Sequence, residues 1–518
     1  MLSATSALPW LSILVLLPLV TALLIALFKP AEKIAKSIAL NCSIFVFIIF
    51  MIALFISFDL NNAGAVQLTE MYSWIPQIGV SLVWGINGMS AVMIALATFL
   101  VPLVLLASWH EFTGDQMRSY FAWILILESN MIALFAARDI FLFYLLFEAM
   151  ILPVYFLIGN YGGKARKRAA MKFLLYSLFG GLIMLAGVIA VFFVGPSGPG
   201  GYRIDVLASG LRLSSNAEMW IFISFFIAFA IKAPMWPVHT WLPDTTAQAP
   251  AGTSTLLVGV LDKLGTYGMI AICLPLFPSA VRSSAGVILV FAVISIIWGA
   301  LMAISSDNLY RLVAYTSISH FGFMVLGIFS GSQIALTGAI LYMVAHGVGT
   351  AGLFFIVRFL EIRGGSPLIS RYGGWQRVVP VLAGAFLIVG LATIALPGLS
   401  GFVPEYLVLM GVFSQRPVIA LVAVIGVVLA AVYILLPYQR IFTGTKPTEE
   451  IADLNCCEKT IMGVLIAVML FLGFYPAPVL NLVHPVAEST AQIVKTAENS
   501  QSGNALVNGK TAIEGNQK

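Results

Sequence analysis

The chain has 518 residues, of which 60% are hydrophobic and only 9% are charged. Soluble globular domains carry about 25% charged residues, so this composition excludes an ordinary soluble protein and indicates a polytopic membrane protein. The net charge of +5 does not indicate nucleic-acid binding, because the basic residues lie in short loops between apolar segments. The cysteines form no CxxC pair and no metal-ligand spacing, so we expect no iron–sulfur site on this chain.

Apolar segments long enough to cross a bilayer recur along the chain. At about 20 residues per span, they predict an all-α polytopic membrane protein with about fourteen transmembrane helices. The first segment is longer than a signal-peptide core, so we expect a retained helix. The alternating segment 59–87 predicts a short hairpin or strand, and 196–218 an exterior loop. The predicted spans are 8–28, 36–58, 88–107, 118–136, 139–160, 170–195, 219–240, 251–275, 284–303, 309–330, 334–359, 378–413 with an interruption, 417–441 and 459–482.

Basic residues are distributed unevenly between the two alternating sets of loops. One set holds most of the lysines and arginines, and such loops face the cytoplasm. We therefore expect a bacterial plasma-membrane protein with both termini on the outer side, and a flexible polar tail from about residue 488. The other set holds only Arg138, Arg203, Arg212, Arg282 and Arg416.

The predicted helices four to eight and nine to thirteen form two blocks of five, and an odd number of helices inverts the second block. Each block contains one broken helix, at Pro234 and Pro237 in the first and at 396–401 with Pro404 in the second. Paired broken helices in inverted repeats indicate an ion site at the membrane midplane. We expect N-terminal helices in 1–117, the two repeats in 118–275 and 276–442, a further helix in 443–482 and a polar tail in 483–518.

Ionisable residues inside these spans are the main functional signal. At 1.5 Å per residue, six of them lie about 14 to 20 Å deep, near the middle of a core about 30 Å thick, and a seventh follows the second break. A lateral line of such residues favours proton transfer, because buried ionisable groups in membranes mark ion pathways. The members are Glu128, Glu148, Lys232, Lys263, His320, His346 and Glu405.

Each member also has a structural interpretation. Glu148 and Lys232 could form a static salt bridge, Lys263 could be structural, and the two histidines could be packing residues. Glu128 and His239 are additional candidates only. For His239, the alternative is a structural role at the end of a helix. Asp262 points about 100° away from Lys263 around a helix of 3.6 residues per turn, so it is treated as a local partner and not as a site residue.

The longest motif runs from Lys232 to Asp244 as K-x-P-x-x-P-x-H-x-W-L-P-D, with Lys263 in the next span. It resembles the antiporter-like proton-pumping subunits of respiratory complex I, as do the segments around Glu148, His320, His346 and Glu405. Within that family the glutamate at 405 is similar to the M-type branch, equivalent to mitochondrial chain four, because L- and N-type subunits carry lysine there.

The resemblance implies a translocase subunit of proton-pumping NADH:quinone oxidoreductase. Glu148 and Lys232 would form a controlling pair, Lys263 a central relay and Glu405 the exit-side residue, with His320 and His346 continuing the line. It implies no cofactor on this chain, with flavin, iron–sulfur clusters and quinone on partner subunits. The partners would be other complex I membrane subunits, including the L- and N-type chains, with the lipid bilayer around them and protons as the transported ion.

Three alternatives remain open at this stage. An Mrp-type cation/proton antiporter subunit would need no redox partner, and a membrane-bound hydrogenase subunit is a closer variant. A passive membrane scaffold would require the midplane charges for assembly alone.

Overall fold

The structure is a computed structural model that describes residues 8–514 apart from 197, 199 and 449, with side chains described up to residue 495. In this part of the chain, thirteen helices are long and apolar enough to cross a membrane, which confirms the polytopic helical class. The helices are α1 (Trp10–Phe28), α2 (Glu32–Ser57), α3 (Gly88–Ala107), α4 (Gly114–Ala136), α5 (Ile140–Tyr161), α6 (Arg166–Val194), α7 (Ile204–Gly210), α8 (Ser215–Lys232), α9 (Trp241–Thr246), α10 (Ala251–Leu276), α11 (Pro278–Ser305), α12 (Leu309–Phe329), α13 (Gln333–Gly364), α14 (Pro380–Thr393), α15 (Phe402–Gln415), α16 (Pro417–Phe442), α17 (Cys456–Phe474) and α18 (Ala477–Glu514).

The first predicted break lies where α8 ends at Lys232. Pro234 and Pro237 follow, and proline cannot continue a helix because it lacks the backbone N–H and clashes with the preceding turn. The chain resumes helical geometry in the short α9. The indole of Trp241 then donates a hydrogen bond to the carbonyl of Ile231 over 3.0 Å. This bond satisfies a carbonyl that the break deprives of its helical partner.

The second predicted break separates α14 from α15, which are both too short to cross a membrane alone. Residues 394–401 between them include Ala395 and Gly398 with positive φ angles of 59° and 89°. A positive φ cannot belong to a right-handed helix, so the backbone leaves the helical path here. Both breaks predicted from proline and glycine are therefore confirmed.

The centre of the molecule is formed by α10, α12 and α13. In the most apolar 18-residue stretch of each helix, 94%, 94% and 100% of the residues are buried, compared with 33% in α1. Outer helices carry the exposed apolar side chains, such as Phe55 and Phe193, as expected of surfaces that face lipid. Lys263, His320 and His346 on these three helices are thus enclosed by protein.

The α10 helix contains two π-helical segments, Leu257–Leu261 and Met269–Cys273, on either side of Lys263. A π segment has more residues per turn than an α-helix, so it rotates the residues that follow it relative to those before it. Such segments are rare and occur mostly at functional sites. A constant 100° per residue therefore does not hold across either π segment, although it holds in the regular stretch Lys263–Gly268 between them.

The two predicted sets of loops lie at opposite ends of the bundle. Within each set, the loops contact one another. At one end lies an antiparallel hairpin of β1 (Gln67–Ile75) and β2 (Val80–Ile86), as predicted for 59–87. Bridges join Trp84 to Ala137 and Asp139 to Arg203 at this end. We call it the hairpin rim, formed by 67–86, 137–139 and 200–203.

At the other end, which we call the basic rim (108–113, 162–165, 244–248, 306–308 and 365–377), Asn308 bridges Leu368. Asp244 accepts hydrogen bonds from Lys172, over 2.6 Å, and from Arg311. Burial raises the pKa of Glu111 in the loop 108–113, and the Arg358 guanidinium, 3.1 Å away, opposes that rise.

The end of the chain differs from the prediction in two ways. The span predicted to run to residue 482 ends at Phe474 in α17, because Pro476 and Pro478 follow. A second helix, α18, then continues through the segment predicted as a flexible polar tail. Its first turns bury Leu482, Val483 and Ala487, and this apolar packing holds the helix in place. The predicted exterior loop 196–218 likewise contains the short helix α7.

A buried row of ionisable side chains

Lys263 lies at the centre of the molecule with no exposed surface. Its Nζ donates a hydrogen bond to the carbonyl of Val258 over 2.7 Å and lies 2.8 Å from Nδ1 of His346. The ring of Phe321 is 5.4 Å from the same Nζ. Val258 belongs to the first π segment, so the irregular helix supplies the acceptor. The ammonium group therefore has defined partners on α10 and α13.

The row continues from His346 to His320 on α12. The two imidazole ring centroids are 5.2 Å apart with an interplanar angle of 77°. Nε2 of His346 also lies 3.1 Å from the hydroxyl of Thr350, one turn along α13. Both rings are buried. Because imidazole can hold and release a proton at either nitrogen, this pair places two such groups side by side on α12 and α13.

Two tyrosines connect His320 with Glu405. Nε2 of His320 lies 3.0 Å from the Tyr433 hydroxyl, and its ring centroid is 5.7 Å from that of Tyr342. The Tyr342 hydroxyl donates to Oε2 of Glu405 over 2.8 Å. A phenol both donates and accepts hydrogen bonds. From Lys263 to the carboxylate at residue 405, neighbouring groups are thus linked either by hydrogen bonds or by packed rings.

A cavity of about 10 Å³ lies beside these groups. Among the residues that line it are His320, Tyr342 and His346, together with Thr393 and Gly401 at the edges of the second break. This is about the smallest volume that holds one water molecule. The broken helix therefore borders a small cavity next to the row.

The second break also fixes the position of Glu405. The residue lies in the first turn of α15 and is buried. Negative charge is favoured near a helix N-terminus, because the free backbone N–H groups give that end a partial positive charge. Ending α14 and starting α15 inside the bundle thus creates a favourable environment for this carboxylate.

Lys232 occupies the opposite kind of helix end. It is the last residue of α8, where cations are favoured by the partial negative charge of the free carbonyls. Its Nζ is buried without a hydrogen-bond partner. The rings of Phe147 and Phe173 have their centroids 5.9 and 5.3 Å away, within the range of a cation–π interaction.

Glu148 approaches Lys232 without binding it directly. The carboxylate is half-buried, and its Oε1 has no hydrogen-bond partner. It packs on Gly181 of α6 so closely that a methyl group there would lie 1.7 Å from Oε1. Glu148 and Lys232 interact electrostatically, but no salt bridge joins them in the described residues. The predicted pair is thus two neighbouring charges rather than a closed ion pair.

The two additional candidates lie apart from the row. Glu128 is fully buried on α4, and neither of its oxygens has a hydrogen-bond partner. Its electrostatic effect falls on Cys42 of α2, at the side of the bundle formed by α1 and α2. His239 follows the first break, and its Nε2 accepts a hydrogen bond from Trp298 over 3.2 Å. The structure therefore does not bring these residues together with the others.

Sequence reasoning missed Tyr342 and Tyr433 and set Asp262 aside. A search for charges does not detect phenols, although Tyr342 lies one turn before His346 and Tyr433 is the one polar residue in a long apolar run. Asp262 is fully buried on α10, and both of its carboxylate oxygens lack hydrogen-bond partners. It interacts electrostatically with Lys232 and, less strongly, with Lys263.

Among the described residues, no group of three or more His, Cys, Asp or Glu side chains could hold a metal ion. Lysine, histidine, tyrosine and carboxylate side chains can each hold and release a proton, so the row offers acid–base chemistry.

A bundle of apolar helices with two broken spans and a buried ionisable row defines an antiporter-like membrane protein. The family model described as "NADH:quinone oxidoreductase/Mrp antiporter, TM" matches residues 137–430. This region is more than half of the chain, and the chain belongs to that family.

Curated relatives narrow the comparison. The chain is 41% identical to NADH-quinone oxidoreductase subunit M of Mycobacterium tuberculosis, over 93% of this chain and 94% of the relative. It is 36% identical to subunit M of Rhodobacter capsulatus, over 94% and 96%. These matches confirm the resemblance stated from the motifs.

Solved structures agree in fold. A chain of respiratory complex I from Thermus thermophilus has a TM-score of 0.86 and 30% identity, covering 93% of this chain and 99% of that one. A chain of the Mrp complex from Dietzia sp. has a TM-score of 0.82 at 20% identity, covering 93% and 99%. The second likeness shows the fold alone.

Proposed function

We propose that this chain is a proton-translocating membrane subunit of an NADH:quinone oxidoreductase. The relatives named as subunit M and the similarity to a chain of complex I support this assignment. Electron transfer would take place in other subunits, and this chain would carry protons across the bilayer in response.

The observation that carries the proposal is the enclosed path from Lys263 to Glu405. Hydrogen bonds of 2.8 Å lie at each end, between Lys263 and His346 and between Tyr342 and Glu405. Packed histidines lie between them. A structural role for these residues would require each to be satisfied locally, but it would not require a continuous series of acid–base groups across four helices.

The groups would act in sequence. Lys263 would serve as the central relay, delivering a proton to Nδ1 of His346 when that nitrogen is unprotonated. The proton would pass through His320 and the Tyr342 hydroxyl to Glu405 on the exit side. Glu148 and Lys232 would control loading, because an opposite charge within about 4 Å at an effective dielectric of about 20 is worth about 4 kcal/mol. Glu128 and His239 remain additional candidates.

The wider assignment follows from the same proposal. The protein would be a translocase in a bacterial plasma membrane, with both termini and the hairpin rim on the outer side. The L- and N-type antiporter-like subunits would be among its neighbours. Flavin, iron–sulfur clusters and quinone would bind to partner subunits, with none on this chain. The regions 118–275 and 276–442 would act as two inverted repeats, each containing one broken helix.

Lys263→Met in the assembled complex tests the proposal. We expect proton pumping and NADH:quinone turnover in inverted membrane vesicles to fall together by about 100-fold, since positioned proton-transfer groups contribute about 10²- to 10⁴-fold. Lys263→Arg retains the charge but rarely releases a proton, so we expect a similar loss.

Complex content, measured on native gels, controls for assembly. Normal pumping by an intact Lys263→Met complex would contradict the proposal. Sodium/proton exchange without NADH and quinone would instead favour the Mrp-type alternative.

A further inference from the structure

We propose that Asp262 transfers protons between Lys232 and Lys263. It would thereby join the Glu148 and Lys232 pair to the path that runs from Lys263 to Glu405. This inference rests on the proposed function, because it assigns a step within proton translocation. It changes the sequence-based interpretation, in which Asp262 was only a local partner of the adjacent lysine.

The packing of α10 directs Asp262 towards α8. Residues three apart on a helix share a face, so Asp262 shares a face with Gly265. A methyl group on Gly265 would lie 2.4 Å from the Phe229 carbonyl and 2.5 Å from the Ala233 backbone nitrogen. The two helices are therefore in backbone contact at this level, and Ala233 directly follows Lys232. Asp262 lies on the face of α10 that meets the end of α8.

Lys263 points to another face of the same helix. Its Nζ contacts His346 on α13 and the carbonyl of Val258. Consecutive residues on a helix are about 100° apart, so α10 presents a carboxylate to one neighbour and an ammonium group to another. A proton that passes from Asp262 to Lys263 moves from the α8 side of the helix to the α13 side.

Charge compensation supports the same step. Asp262 has no exposed surface and Lys232 is 2% exposed, yet neither carboxylate oxygen nor the Nζ has a hydrogen-bond partner. Unpaired buried charges are strongly unfavourable. Electrostatic attraction acts on Lys232 from Asp262 and, less strongly, from Glu148. Asp262 is therefore the main carboxylate that balances Lys232.

The transfer conserves charge and protons at each step. The Lys232 ammonium gives one proton to the Asp262 carboxylate, which leaves a neutral amine and a carboxylic acid. Asp262 then gives that proton to the neutral amine of Lys263, which restores the carboxylate and forms an ammonium group. Lys232 has a flexible four-carbon side chain, so it is the group that moves to make contact.

Asp262→Asn in the assembled complex is the main test. Asparagine has the same shape, and the carboxylate makes no hydrogen bond that the substitution would remove. A role in packing or hydrogen bonding therefore predicts normal pumping, whereas a role in charge balance alone predicts a loss without the carboxylic-acid band described below. Loss of a proton-transfer group predicts a fall of at least about tenfold, and Asp262→Glu should restore much of it. Asp262→Ser replaces the asparagine variant if that variant does not assemble.

Infrared difference spectroscopy on turnover provides a second readout. We expect a carboxylic-acid band that is lost in Asp262→Asn and shifted in Asp262→Glu. Pumping by Asp262→Asn within about twofold of the unmodified complex, alongside loss in Lys263→Met, would overturn this inference and leave the proposed function intact. Normal pumping by both variants would overturn the proposed function itself.

Discussion

The buried ionisable groups from Lys263 to Glu405 have polar partners, whereas those around Lys232 have polar atoms without hydrogen-bond partners. From Lys263 to Glu405, each ionisable group touches another polar group, with hydrogen bonds of 2.8 Å at both ends. Around Lys232, the Nζ, one oxygen of Glu148 and both oxygens of Asp262 have no hydrogen-bond partner. Both regions are enclosed by the same bundle.

This difference indicates that the two regions have different functions in proton transfer. Satisfied polar networks hold one geometry, whereas buried groups without partners require an explanation. Two carboxylates with unsatisfied oxygens beside one flexible, unsatisfied lysine can rearrange at small cost. We infer that the Lys232 region selects when a proton enters, and that the Lys263 region provides a fixed path for it.

Glu405→Gln should have the largest effect, because it removes the carboxylate that we propose as the proton acceptor at the end of the path from Lys263. Glutamine can still accept the hydrogen bond from Tyr342, so the geometry is retained while the acid–base function is lost. We expect pumping in vesicles to fall by about 100-fold, with complex content unchanged. Pumping above about one third of normal would show that the path does not end at residue 405.

Tyr342→Phe should have the next largest effect. It removes the hydroxyl that donates to Glu405 and keeps the ring against His320. A hydrogen bond to a charged group is worth about 1.5 to 3 kcal/mol, so we expect pumping and turnover to fall by about tenfold. Tyr433→Phe is the companion variant, since its hydroxyl contacts His320 whereas that of Tyr342 contacts Glu405, so the two variants test different steps. Equal losses in both variants would place Tyr433 in the path as well.

The sequence was sufficient to predict the breaks and the ionisable residues that the structure brings together from Lys263 to Glu405, although it also included Glu128, which lies apart from them. Proline chemistry and glycine-rich segments act locally, so Pro234, Pro237 and the segment 396–401 indicated the interruptions without tertiary information. Ionisable residues deep in apolar spans are equally visible, because the bilayer makes them costly.

Contacts between helices were not predictable in the same way. The angle of about 100° between Asp262 and Lys263 was visible in the sequence, but the packing of the Asp262 face of α10 against the end of α8 depends on the fold. Tyr342 and Tyr433 gain their roles only from the neighbours that the fold brings to them. The helix α18 was missed because its polar sequence hides the few apolar residues that anchor it.

Gly181→Ala tests the region around Lys232 and Glu148 without changing any ionisable group. The added methyl group would lie 1.7 Å from Oε1 of Glu148, so the carboxylate must move away. If this costs about 1 kcal/mol in the interaction with Lys232, turnover should fall by about fivefold. Gly286→Ala is the control, because nothing lies within 4 Å of its added methyl group. Unchanged turnover in Gly181→Ala would show that the position of Glu148 is not critical.

Glu128→Gln should have the smallest effect. It tests whether a buried carboxylate without contacts to the other ionisable groups takes part in pumping. Glu128 is as deeply buried as Lys263 and lacks hydrogen-bond partners, so burial alone would predict a role. It lies towards α2, however, where its electrostatic effect falls on Cys42, and no described contact links it to the row. We expect pumping within about twofold of normal, since no proton-transfer group is lost. A loss as large as that of Glu405→Gln, in complexes of normal content, would mean that isolated buried carboxylates also carry protons, and that contact is not the criterion that separates the two regions.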